Sequence, residues 1–115
     1  VEKTLNLGFP WFKAFRVSQD FKLQRIKEYG QGIFLLDAYS KTQYGGSGQK
    51  IDWNFASAAS GLGKLILAGG MTPVNVAEAV KKVRPWGVDV CSGVESEPGI
   101  KDLSRVEKFI RNLRN

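Results

Sequence analysis

Histidine is absent from this 115-residue sequence, and cysteine occurs once, as Cys91. The first absence removes the commonest general base and the commonest transition-metal ligand. Acid–base chemistry is left to Asp, Glu, Lys, Tyr or Cys. No group of residues has zinc-site spacing, so no metal is expected. A single cysteine excludes an internal disulfide. No apolar run approaches the roughly 20 residues that span a bilayer. Val1 to Pro10 lacks the charged-then-apolar order of a signal peptide. A cytoplasmic protein without membrane contact is the expectation. The first residue is Val1 rather than Met, and a start inside a longer chain fits the motifs below.

What is present points to a packed fold. Apolar residues make up 43% and charged residues 24%, usual for a globular chain. The length suits one domain or a piece of one, and residues 1–115 are read as a single domain. Lys and Arg exceed Asp and Glu by 17 to 11, a net charge of +6. That excess favours anionic partners: phosphorylated metabolites, nucleic acid or an acidic protein surface. The basic residues are spread through helical stretches (Lys22, Arg25, Lys27; Lys81, Lys82, Arg84; Lys108, Arg111, Arg114) rather than gathered in one arm. No aromatic-and-basic motif of the kind that reads single strands occurs. A solvated basic surface is the reading, with no nucleic-acid partner.

Short apolar runs alternate with longer amphipathic ones. Trp11 to Val17 reads as a strand, and Asp20 to Tyr29 as a helix closed by Gly30 and Gly32. Ile33 to Leu36 is a continuous apolar run ending in Asp37, which suits a strand buried on both faces. Asp52 to Ala59 reads as a short helix, and Leu65 to Ala68 as a third strand ending in Gly69-Gly70. Thr72-Pro73 supplies an N-cap and a proline at the first helical position of a helix running to Val83, which Pro85 stops. Gly87 to Val90 is the fourth strand. Pro98-Gly99 turns the chain, and Asp102 caps a last helix in which Leu103, Val106, Ile110 and Leu113 repeat at helical spacing.

The pattern is α/β: four consecutive βα units with parallel strands joined by right-handed crossovers. A flavodoxin-like sheet usually has five strands and a TIM (β/α)8 barrel has eight, so four fall short of either. Half of a barrel leaves unpaired edges and an apolar inner face open to water. Such a chain needs its missing N-terminal half-barrel or a second copy of itself.

In parallel α/β folds chemistry sits at the carboxyl ends of the strands. Those ends carry Arg16 to Ser18, Asp37, Gly69-Gly70 and Cys91-Ser92-Gly93. Asp37 is the candidate general acid, because partial desolvation of a carboxylate favours its proton-donating form. The plain alternative is an Asp that caps the next loop. Gly69-Gly70 and Ser92-Gly93-Val94 are candidate anion cradles in which backbone N–H groups converge on a phosphate. The plain alternative is a pair of turns. Tyr44-Gly45-Gly46-Ser47-Gly48 has neither Walker nor Rossmann spacing and reads as a phosphate-shielding loop or a connector. Cys91 reads as an apolar filler on a buried strand, since no histidine is present to activate it.

Three linked motifs carry a resemblance to a known family. Leu35-Leu36-Asp37 with Tyr44-Gly45-Gly46-Ser47-Gly48 and Asp52-Trp53 resembles the sixth unit of phosphoribosylanthranilate isomerase. Leu67-Ala68-Gly69-Gly70-Met71-Thr72-Pro73-Val74-Asn75-Val76 resembles its seventh unit. Val88-Asp89-Val90-Cys91-Ser92-Gly93-Val94-Glu95, with Pro98-Gly99-Ile100-Lys101-Asp102, resembles its eighth, and Phe12 to Phe15 its fifth strand. The resemblance implies half of a TIM barrel, units five to eight. It also implies an Amadori rearrangement of N-(5'-phosphoribosyl)anthranilate in tryptophan biosynthesis, without metal or organic cofactor.

Asp37 would be the general acid that protonates the ribose ring oxygen, while Gly69, Gly70, Ser92 and Gly93 would hold the substrate phosphate. The family's general base is a cysteine on the first strand. This sequence contains no such strand, and Cys91 does not inherit the role. The chain alone is therefore expected to be inactive. Two other readings remain: a non-catalytic, self-associating half-barrel that binds phosphate, and a flavodoxin-like binding domain.

Overall fold

The computed structural model describes residues 8–18, 21–30, 32–37 and 53–114. Four parallel strands lie side by side in chain order: β1 (Lys13–Arg16), β2 (Ile33–Asp37), β3 (Lys64–Ala68) and β4 (Gly87–Val88). Between them run α1 (Leu23–Tyr29), α2 (Trp53–Ser60) and α3 (Val76–Val83). A 3-10 turn (Ser92–Val94) follows β4. A hairpin of β5 (Glu95–Glu97) and β6 (Ile100–Lys101) comes next, and then α4 (Leu103–Leu113).

The core is built on one face of the sheet. Phe34 and Leu36 on β2 pair in register with Leu65 and Leu67 on β3, and all four are fully buried. They form one cluster with Ala56 and Ala59 of α2 and Val76, Ala79 and Val83 of α3. Side chains alternate across a strand, so Leu35 and Ile66 point to the opposite face, where they are only half-buried; their neighbour Ala14 is exposed. The Ile33–Leu36 run was read as buried on both faces. Among the described residues only the helical side is sealed, because no layer covers the other.

Aromatic contacts tie β1 to its neighbours. The ring of Phe15 lies 5.6 Å from Phe21 and 5.7 Å from Tyr29 between centroids. The Tyr29 hydroxyl accepts from the Lys13 N–H at 3.1 Å and donates to the Ile33 carbonyl at 3.2 Å, bridging β1 and β2. The α1 C-terminus ends on Gly30 in the left-handed region (φ 68), as its sequence requires.

Local chemistry sets the other helix ends. Thr72 Oγ1 accepts from the Asn75 N–H at 3.1 Å, and Asn75 Oδ1 accepts from the Thr72 N–H at 2.8 Å. This reciprocal pair is a capping box with Asn in the Glu/Gln place. Pro73 sits just after the cap, and the regular helix begins at Val76. Asp102 Oδ1 accepts from the N–H groups of Ser104 and Arg105 and so caps α4.

Two further sequence expectations need correction. β4 pairs only over Gly87–Val88, although the Asp89 N–H still donates to the Leu67 carbonyl at 2.8 Å. The chain then bends into the 3-10 turn, which ends the ladder early. On α4, Leu103 and Ile110 are 76% and 45% exposed, while Phe109 is buried at 4%. The buried stripe is rotated about one residue from the expected one, with Val106 and Leu113 at its edge.

Candidate active site

The carboxyl ends of β2, β3 and β4 enclose a cleft of about 290 Å³. The parallel register places Asp37 at the end of β2, beside Arg16 on β1 and Ala68 on β3. The Asp37 carbonyl accepts from the Val17 N–H at 2.9 Å, which holds the backbone on one side while the half-buried side chain lines the cleft.

The β3 loop forms the second wall. Gly69 and Gly70 have φ of 98° and 72°, consecutive values that glycine adopts at little cost. Asn75 braces this loop from the helix side: its Nδ2 donates to the Gly70 carbonyl at 2.9 Å. In a planar trans peptide the C=O and the following N–H point in opposite directions. Holding the Gly70 carbonyl toward Asn75 therefore turns the Met71 N–H away from it.

The third wall is the 3-10 turn. The Val94 N–H donates to the Cys91 carbonyl at 3.3 Å, closing the turn. A turn of this kind leaves its first N–H groups, here those of Ser92 and Gly93, without a partner inside it. These groups face the requirements of an anion: several backbone donors in a short arc. Gly93 is also where the two loops touch. A Cβ on Gly93 would lie 1.9 Å from the Met71 carbonyl oxygen and 3.2 Å from Thr72 Cα. The absence of a side chain there is what lets the β4 loop close onto the β3 loop.

All five residues singled out in the sequence, Asp37, Gly69, Gly70, Ser92 and Gly93, line this one cleft. Tyr44 to Gly48, Asp20 and Asp52 lie outside the described residues. Cys91 departs from its expected place: it follows β4 rather than lying on a buried strand, and it is exposed. Its Sγ is 3.7 Å from both Glu95 Oε2 and Lys101 Nζ. Asp89 also lines the cleft. Asn75, Glu95 and Lys101 had no role in the sequence reading. The three-residue Thr72–Asn75 spacing was the available signal for the first. The Pro98-Gly99 turn, which sets Glu95 opposite Lys101 across the hairpin, was the signal for the other two.

Among the described residues no group of three or more Cys, Asp or Glu could hold a metal ion, and no helix is long and apolar enough to cross a membrane.

Parallel strands in chain order, with a carboxylate and two glycine loops at their carboxyl rim, define an α/β protein of TIM-barrel-like fold. The family model for N-(5'phosphoribosyl)anthranilate (PRA) isomerase matches residues 1–112, and the chain belongs to that family of isomerases. The N-(5'-phosphoribosyl)anthranilate isomerase of Geobacter sulfurreducens is 53% identical over 102 residues, covering 89% of this chain and 50% of the relative. The crystal structure of phosphoribosyl anthranilate isomerase from Thermotoga maritima matches with a TM-score of 0.75 at 39% identity, over 90% of this chain and 50% of that one. A further phosphoribosyl anthranilate isomerase was solved in complex with reduced 1-(o-carboxyphenylamino)-1-deoxyribulose 5-phosphate. It matches with a TM-score of 0.72 at 35% identity, over 90% of this chain and 47% of that one. The chain spans about half the length of the relatives it matches.

Proposed function

We propose that this chain is the C-terminal half-barrel, units five to eight, of a cytoplasmic phosphoribosylanthranilate isomerase of tryptophan biosynthesis. The reaction is an internal rearrangement of an aminoaldose to an aminoketose, so no atom is gained or lost overall. Asp37 is the general acid and gives its proton to the ribose ring oxygen as the ring opens. Gly69, Gly70, Ser92 and Gly93 hold the substrate phosphate through backbone N–H groups, which anchors the sugar with its reacting end toward Asp37. The general base that removes the C2′ proton comes from the first strand of the missing half. No metal or organic cofactor takes part.

The observation that carries this reading is the single cleft lined by Asp37 and both glycine loops. The half-covered inner face around Leu35 and Ile66 supports a missing partner half. A buried apolar layer there would stabilise association by removing that surface from water. The same open face favours a second reading, a half-barrel that pairs with its own copy and binds phosphate without catalysis.

Mixing the chain with a cognate first half, and following turnover by the fluorescence of the anthranilate group, tests the proposal. The chain alone is expected to be inactive, since losing a general base costs about 10²–10⁴-fold. Turnover restored on mixing supports the split enzyme. Two halves that associate and remain inert overturn it. Sizing chromatography tests the open-face argument: a compact monomer at low concentration counts against both readings of that face.

A further inference from the structure

We infer that Lys101, anchored by Glu95, is a positioning residue for the phosphate-binding turn: it grips the Cys91 carbonyl and thereby aims the Ser92 N–H into the cleft. This rests on the reading of Ser92 and Gly93 as phosphate donors.

The geometry begins with the hairpin, whose register sets Glu95 directly opposite Lys101. Lys101 Nζ donates to Glu95 Oε2 at 2.7 Å and to the Cys91 carbonyl at 3.0 Å. The other carboxylate oxygen, Glu95 Oε1, accepts from the Gly99 N–H at 3.4 Å across the hairpin turn. The Glu95 carbonyl takes a bond from the Arg105 guanidinium, and the Asp102 N–H donates to the Val94 carbonyl at 2.8 Å. The hairpin is thus tied to α4 at one end and to the turn at the other.

The Cys91 carbonyl accepts from two donors, Lys101 Nζ and the Val94 N–H. Both lone pairs are used, so the orientation of the Cys91–Ser92 peptide is set. Its N–H, that of Ser92, points opposite to its carbonyl and hence away from Lys101. Ser92 lines the cleft and Lys101 does not. Lys101 therefore acts through the peptide rather than by touching the ligand. Glu95 holds the ammonium in place, and their pairing shifts both groups: the Lys101 bond draws the Glu95 carboxyl below its usual range, and Glu95 raises the Lys101 ammonium. Both remain charged across the neutral range.

The experiment is an amide NMR titration of the full 115-residue chain with inorganic phosphate. Wild type, Lys101→Met, Lys101→Arg and Glu95→Gln are compared, with folding checked by circular dichroism. The wild type is expected to show saturable shifts at the Ser92 and Gly93 amides. Lys101→Met should weaken phosphate binding by about tenfold, the scale of losing one charge-assisted hydrogen bond. It should also move the Ser92 amide signal before any phosphate is added. Lys101→Arg should restore most of the affinity.

A loss caused only by removing a distant positive charge would disappear in 1 M salt, where the screening length is about 3 Å. The positioning effect persists there. Wild-type affinity in Lys101→Met, or a difference abolished by salt, overturns the inference and leaves the phosphate cradle standing. No shifts at Ser92 and Gly93 in the wild type overturn the cradle and the inference with it. Should Lys101→Met fail to fold, Glu95→Gln decides: unchanged affinity overturns the inference, and weakened affinity supports it.

Discussion

Replacing Gly93 by alanine tests how the two glycine loops are held together. The added Cβ would fall 1.9 Å from the Met71 carbonyl oxygen, whereas ordinary contact begins at 3.4 Å, so the loops must part by about 1.5 Å. The atoms in the way are backbone, and Met71 is itself buried, so no flexible side chain end can yield. Both loops are also tied down. The Asp89 N–H bonds the Leu67 carbonyl before the turn, and Asn75 grips Gly70 on the other loop.

Overpacking at a well-packed site costs about 1–3 kcal/mol, and a clash against fixed backbone belongs at the upper end. Urea denaturation should therefore show a lowered midpoint with an unchanged slope. Phosphate binding should suffer as well. Backbone donors work over a range of about 2.7–3.2 Å, so a separation of this size takes one loop out of reach of an anion held by the other. A Gly93→Ala variant within about 0.5 kcal/mol of wild type, the usual range for a surface change, with unchanged phosphate affinity would refute the reasoning.

In a mixture of the chain with a cognate first half, Asp37→Asn keeps the shape of the side chain and removes the acid proton that the proposed mechanism uses. kcat should fall by about 10²–10⁴-fold with little change in phosphate affinity; a variant with near-normal kcat would remove Asp37 from the chemistry. Arg84 ends α3 in the left-handed region (φ 55), the single non-glycine residue to do so among those described. Arg84→Gly should raise stability by about 0.5–1 kcal/mol, relief of the left-handed strain less the extra freedom of glycine in the unfolded chain. A lower urea midpoint would contradict this.

The Asp102 carboxyl is held below the usual carboxylate range, first by the Ser104 hydroxyl and then by the Arg105 N–H. A lowered folded value means that its contribution is present above the unfolded value and is lost as pH falls through the folded one. The advantage of wild type over Asp102→Asn should therefore shrink below about pH 4 and stay constant above it. A gap that instead widens in acid would show that the cap works by some other means.

Much of this protein could be read from local chemistry. The end of α1 at Gly30, the Thr72-Pro73 start of the α3 region and the Asp102 cap depend on residues only a few positions apart. They follow from hydrogen bonds the chain makes with itself. The apolar runs of β2 and β3 announced strands for the same reason. The expectations that failed depended on distant neighbours. Cys91 looked like core filler until the early end of β4 left it exposed. Of the expected α4 stripe of Leu103, Val106, Ile110 and Leu113, Val106 and Leu113 pack against the core, but Leu103 and Ile110 are exposed and Phe109 is buried instead.

By itself the sequence determined the alternation of strands and helices, the caps, and the residue types at the strand ends, because each rests on backbone geometry within a few residues. Only the tertiary structure decided that Asp37, Gly70 and Gly93 border one cleft. Strand register and the close contact between Gly93 and Met71 bring together residues far apart along the chain. Sequence spacing carries no measure of that distance.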